Sequence, residues 1–279
     1  MPERKVTRFL VGLLCLALWS AHAWAGNDEW ESYTNLGYKA SQDGNYAAAK
    51  NWFTAALREA KGFGPEDPRL ARSLNNMARL YYVQDRHEEA APLYERALVI
   101  YEKALGPEHP HVATSLNDLA EIYRLQGRYA KAEPLYDRAL AIFEKDLGPE
   151  HPYVATSLNN LAGLYEAQGR YREAVTLYKR ALAIREEALG PEHPDVAMSL
   201  NGLGLAFHAQ GRYLEAEPLY ERSLTIMEEA LGPEHPSLAQ VLENHAVLLR
   251  ETDRMDEAEQ MEARAKTIRD QHAQASPVP

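Results

Sequence analysis

The chain has 279 residues, 46% of them hydrophobic and 25% charged, a balance that excludes wholesale disorder. Its 30 basic and 41 acidic side chains leave a net charge of −11, without the basic excess that displaces counterions from nucleic-acid phosphates. A single cysteine, Cys15, excludes an internal disulfide framework and any multi-cysteine metal site.

In chain order, the first predicted element is an address. Arg4, Lys5 and Arg8 precede an apolar run from Phe9 to Trp19, and Ala21-His22-Ala23-Trp24-Ala25 follows with small residues. This pattern predicts a secretory signal peptide over 1–25, cleaved after Ala25 or Ala23. The apolar run is shorter than the ~20 residues that span a bilayer, and an uncleaved anchor is the alternative. Cys15 follows Leu14 rather than a small residue, which disfavours lipidation. The rest of the chain is thiol-free and acidic. We expect it to be periplasmic or secreted, with no membrane insertion after cleavage.

After residue 60 the chain copies itself. Gly-Pro-Glu-His-Pro begins at Gly106, Gly148, Gly190 and Gly232, in steps of 42 residues, and Gly64-Pro65-Glu66-Asp67-Pro68 is the same marker one step earlier. Each copy predicts two helices. Leu116, Leu119, Ala120 and Tyr123 make one apolar stripe on a helical period, and Gly127 ends that helix. Ala132, Tyr136, Ala139, Leu140 and Phe143 make the second stripe, and the next marker stops it because proline has no amide proton. Pro92, Pro134 and Pro218 fall inside second helices. We expect each to remove one hydrogen bond and bend its helix mildly, although Thr176 holds the same place in another copy.

These spacings resemble the tetratricopeptide repeat. Its large positions fall on Leu116, Leu119, Tyr123 and Tyr136, its small ones on Ala120, Ala132 and Ala139. The next copy matches through Leu158, Leu161, Tyr165, Tyr178, Ala162, Ala174 and Ala181. The long period and the Leu-Asn-Asn-Leu-Ala core look most like the repeats of kinesin light chains and their bacterial relatives. The motor role of kinesin light chains is not carried over to an exported chain. The resemblance implies an all-α fold, a right-handed α-solenoid of about six helix-turn-helix hairpins. Their spans are 30–63 (degenerate), 71–104, 113–146, 155–188, 197–230 and 239–272 (degenerate, capping), before a disordered tail over 273–279. In the sixth unit His245 replaces a leucine, Glu262 the aromatic and Lys266 another leucine; Glu262 and Lys266 are expected to give the last hairpin a polar outer face.

Most conspicuous residues fit a structural reading. Tyr94, Tyr136, Tyr178 and Tyr220 recur as packing residues. His109, His151, His193 and His235 recur once per loop and cannot converge on one metal ion along an open array. There is no G-x-S-x-G, no H-E-x-x-H and no phosphate-cradling glycine loop. We therefore expect no catalytic residue, metal or cofactor.

The asparagines need a separate account, because asparagine is a mediocre helix former. Asn75, Asn117, Asn159 and Asn201 recur at one position, with Asn76, Asp118, Asn160 and Asn244 beside them. The resemblance implies that first helices line a concave groove, where such amides grip an extended peptide backbone. The alternative is a hydrogen-bonded ladder between neighbouring first helices, and the two readings can coexist. The candidate peptide-binding set is Asn75, Asn76, Arg79, Tyr82, Asn117, Arg124, Asn159, Asn160, Asn201 and Asn244. Arg72, Arg79, Tyr82 and Arg124 make the first half of the groove more basic than the second, which offers Met198, Leu205, His208 and Glu166, and an acidic partner segment is expected against Arg79 and Arg124. The expected function is a non-catalytic scaffold or adaptor for a protein or peptide partner. The alternative is a structural or self-associating part of a cell-envelope assembly.

Overall fold

The computed structural model describes residues 27–275. The expected signal peptide over 1–25 and the last part of the expected tail, 276–279, lie outside the described residues. Among the described residues there are twelve helices and no strand. In the first compact unit, α1 spans 27–42, α2 Tyr46–Gly62, α3 Pro68–Tyr82 and α4 His87–Leu105. The second unit begins at Glu108 and holds α5 (Pro110–Leu125), α6 (Tyr129–Leu147), α7 (Pro152–Ala167) and α8 (Tyr171–Leu189). It continues with α9 (Pro194–His208), α10 (Tyr213–Leu231), α11 (Ser237–Glu251) and α12 (Met255–Ala275). Helix α12 therefore runs into the stretch read from sequence as tail.

The five-residue marker works as a joint, and each of its residues has a reason. Gly106, Gly148, Gly190 and Gly232 end their helices at φ between 88° and 91°, backbone that an L side chain rarely adopts. Proline then opens α5, α7 and α9, where its missing amide proton costs nothing. The histidine between them caps the helix. Nδ1 of His109, His151 and His193 each accepts the amide two residues on at 3.1 Å, and His235 does so at 3.3 Å. In the first copy the Asp67 carboxylate accepts the Arg69 amide at 2.9 Å. The turn inside each hairpin uses Gly44, Gly127, Gly169 or Gly211 in the left-handed region, and Asp85 and Asp253 hold it at φ 57° and 61°. The internal prolines do not interrupt their helices: α4, α6 and α10 contain one, α8 has Thr176 there, and all four are 19 residues long.

In the second unit every first helix packs on its own second helix, and every second helix on the next first helix. The first helices also approach each other, α5 to α7, α7 to α9 and α9 to α11, more closely than the second helices do. That row of four hairpins is a solenoid with its first-helix side drawn together. Its core repeats from joint to joint. Ala120, Ala132 and Ala139, and likewise Ala162, Ala174 and Ala181, are fully buried and let the helices close on Tyr136 and Tyr178. Leu116, Leu158 and Leu200 are buried in the same register, each worth ~1.5–3 kcal/mol. Ion pairs repeat as well: Arg180 to Glu144 at 2.8 Å and Arg222 to Glu186 at 2.6 Å link successive second helices. At the last hairpin Lys266 is exposed and Glu262 is bridged by Arg250, so polar side chains occupy the place of the aromatic core.

The first unit follows the same rules on fewer residues. Helix α3 packs between α2 and α4. Trp30 Nε1 donates to Ser73 Oγ at 2.8 Å, which ties α1 to α3. Gly37 is required because a Cβ there would lie 2.4 Å from the Phe53 ring.

Candidate functional site

Two adjoining hollows lie along the first-helix side of the second unit. Each encloses about 440 Å³, and Leu205 belongs to both. The first hollow is polar and forms where α7, α9 and α11 end. Arg124, Glu166, His208 and Glu251 supply its polar side chains, and Tyr171 and Tyr213 its walls. His208 Nε2 and Glu251 Oε2 are 2.9 Å apart, and the Tyr213 hydroxyl also bonds Glu251. These contacts hold the Glu251 carboxyl below its ordinary value. Burial pushes the Glu166 carboxyl the other way, opposed by the Tyr178 hydroxyl that donates to it at 3.2 Å and by the Arg124 charge. Gly163 forms an open part of this wall, since a Cβ there would meet only the Tyr178 oxygen, at 3.6 Å.

The second hollow is more apolar and forms nearer the starts of α9 and α11. Met198, Leu205, Met227, Leu231 and Val241 line it, with Asn159 and Asn201 at its side. Met198 is 50% exposed, an uneconomical placement for a large apolar side chain on a solvated face. Gly202 makes room here: a Cβ would come within 2.5 Å of the Tyr178 ring.

The asparagine row divides along its length. Asn117 is only 6% exposed, and its amide donates to Ser157 of the next first helix at 2.7 Å. Asn159 accepts from Ser199 at 3.2 Å, and Asn244 donates to Asn201 at 3.0 Å. These bonds form the inter-helix ladder, while Asn159 and Asn201 also face the apolar hollow. Asn160 is half-buried and lines neither hollow. In the first unit Asn76 is buried and accepts the Tyr38 hydroxyl at 2.7 Å, Asn75 and Tyr82 are half-buried, and Arg79 is exposed. Arg124 lines the polar hollow but is not a free cation: Nε and Nη2 clasp Glu121 at 2.8 and 2.6 Å. An acidic partner would therefore compete with Glu121 for it.

Sequence reasoning confined to first helices missed Tyr171, Tyr213, Met227 and Leu231, which reach the hollows from second helices. It also missed Arg185. Phe143 and Met227 hold the equivalent places, yet Arg185 is buried and donates to the Asp195 carbonyl at 2.9 Å and to Ser199 Oγ at 2.8 Å. Through Ser199 it reaches Asn159, so a buried cation orients one rung of the ladder. The break in the 42-residue copy was the available signal.

Tandem helical hairpins with a lined first-helix face define a repeat protein built for contact with other proteins. The chain belongs to the tetratricopeptide repeat family, whose model matches residues 30–103, 69–145, 112–187, 153–225 and 195–271. Within it the repeats are of the kinesin-light-chain-like kind. Two crystal structures of nearly identical TPR-like repeats from a kinesin-light-chain-like protein of Podosopora anserina are 31% identical to it. One covers 74% of this chain and 98% of its own at a TM-score of 0.60, the other 76% and 99% at 0.59. BtubC (BKLC) from P. vanneervenii is 24% identical over 91% of this chain and 95% of its own, with a TM-score of 0.62, and shares the fold. No match was found among curated proteins. Tetratricopeptide repeats mediate protein–protein interaction and typically serve as non-catalytic scaffolds. Among the described residues no helix is long and apolar enough to cross a membrane.

Proposed function

We propose that the chain is a non-catalytic adaptor that holds an extended segment of a protein partner along the first-helix side of its second unit. The observation that carries this reading is the pair of hollows joined at Leu205, one polar and one apolar. A segment laid across them sets an apolar side chain against Met198 and Leu231 and a polar or charged one between Arg124 and His208. Asn159 and Asn201 use their side-chain oxygens in the ladder, and the NH2 groups of the same amides at the hollow suit a main-chain carbonyl, which every sequence offers. Export is part of the proposal and rests on the basic, apolar and small-residue order of residues 1–25.

A photo-crosslinking amino acid placed at Met198 or Leu205 tests the surface. Both positions are expected to trap the same partner, while Leu214, which is exposed outside both hollows, traps none. Equal trapping at Leu214 would remove the groove from the reading. Variants of Asn117 make a poor test, because its amide holds two helices together.

A further inference from the structure

We propose that Glu217, Glu221 and His245 form a binding site for a divalent transition metal of the zinc class, at the junction of the fifth and sixth hairpins. Glu217 and Glu221 lie one turn apart on α10, and His245 lies on α11. One ligand atom from each falls within 4.8 Å of the other two. Zinc bonds of ~2.0–2.1 Å in a tetrahedron set neighbouring ligand atoms about 3.4 Å apart, a closure within reach of two glutamate side chains. A fourth protein ligand is not needed, since three protein ligands and an open position suffice.

The histidine makes this more than a pair of acids. His245 is 3% exposed, and neither ring nitrogen has a hydrogen-bond partner. Nε2 lies 3.8 Å from Glu217 Oε1, beyond hydrogen-bonding distance but directed at the carboxylates. The Tyr220 hydroxyl, on a ring 5.9 Å from the imidazole, is also buried without a partner. Burying an imidazole unsatisfied is costly, and the other copies avoid it: Leu119, Leu161 and Leu203 hold the equivalent place. The carboxylate positions differ too, with Glu133 and Asp137 beside Leu161 and with Val175 and Lys179 beside Leu203. Within the second unit, only the last junction combines an imidazole with two carboxylates.

Arg254 is the opposing charge. It pairs with Glu217 and also clasps Glu257, at 2.7 and 2.6 Å. The equivalent Arg170 pairs with Glu133 and Glu173 at a junction that has no histidine, so this arginine belongs to the repeat. A bound dication takes Glu217 from Arg254 and leaves the guanidinium on Glu257. Imidazole beside carboxylate favours zinc-class ions over Mg²⁺ and Ca²⁺, which prefer oxygen alone.

Titration of the chain with Zn²⁺ against a chromogenic chelator is expected to show one site, and Zn²⁺ is expected to raise the thermal midpoint. His245→Leu, which restores the residue of the other copies, is expected to abolish both effects. Glu221→Gln alters an exposed side chain and is expected to weaken the site by more than about tenfold. The proposal fails if the wild-type chain takes up no Zn²⁺, if Mg²⁺ binds equally well, or if folded His245→Leu keeps wild-type affinity. Should His245→Leu not fold, unchanged affinity in Glu221→Gln overturns it.

Discussion

A histidine ring at position 193 accepts the Asp195 amide, a task that the corresponding Asp67 performs with a carboxylate. Loss of such a cap typically costs ~0.5–2 kcal/mol. His193→Ala is therefore expected to lower the urea midpoint by a stability loss near ~1 kcal/mol, and His193→Asp to restore most of it. Asp67 itself carries a pH signature. The Arg69 guanidinium, bonded to both of its oxygens at 2.9 and 2.7 Å, holds its carboxyl below the ordinary 3.8. The unfolded chain then binds more protons than the folded one as acid is added. The stability supplied by this pair is present above 3.8 and disappears as pH falls through the lowered folded value. The difference in urea midpoint between wild type and Asp67→Asn is expected to shrink between neutral pH and that range. The loop position of these caps was legible in the repeat. Their hydrogen bonds were not, because they depend on an extended backbone at the cap, with ψ near 140°.

The helices themselves were the most legible feature. A stripe such as Leu116, Leu119, Ala120 and Tyr123 fixes both a helical period and a buried side, and all four are buried. Small residues at crossings carry a firm expectation: Ala162→Leu forces side-chain volume into a fully buried contact. It should destabilise by ~1–3 kcal/mol, read as a fall in the urea midpoint. The asparagines were ambiguous for a physical reason. An amide on a first helix has the same spacing whether it faces solvent or a neighbour, and Asn117 finds Ser157 forty positions away. Only the distance between helices decides, and that distance is set by alanines elsewhere. Arg185 and His245 were harder still, since each replaces a core residue in one copy alone.

The second unit presents a trough along its first-helix side, made by the two adjoining hollows. Gly163, on the wall of the polar hollow, occupies the place filled by Glu121, Leu205 and Val247 in the other copies of this unit. Gly163→Leu is expected to fill the polar hollow while sparing the fold. Removing a mid-helix glycine gains ~0.5–1 kcal/mol and the new Cβ meets no backbone. The urea midpoint should hold or rise while crosslinking of a partner at Leu205 is lost; retained crosslinking would place the partner elsewhere. The repeat marked first-helix residues of this lining such as Met198, Asn159 and Asn201, but not Tyr171, Tyr178, Tyr213, Met227 and Leu231 as part of it, because these reach the hollows from second helices.

The glycine joints have one more consequence. Because Gly148 and Gly190 turn the backbone through the same angles, cutting out the block between them presents the severed ends with a junction already suited to both. Such a gene can lengthen or shorten by unequal crossing-over, in whole blocks and without inventing a new hinge. The reach of the molecule is then a quantity that heredity adjusts by counting.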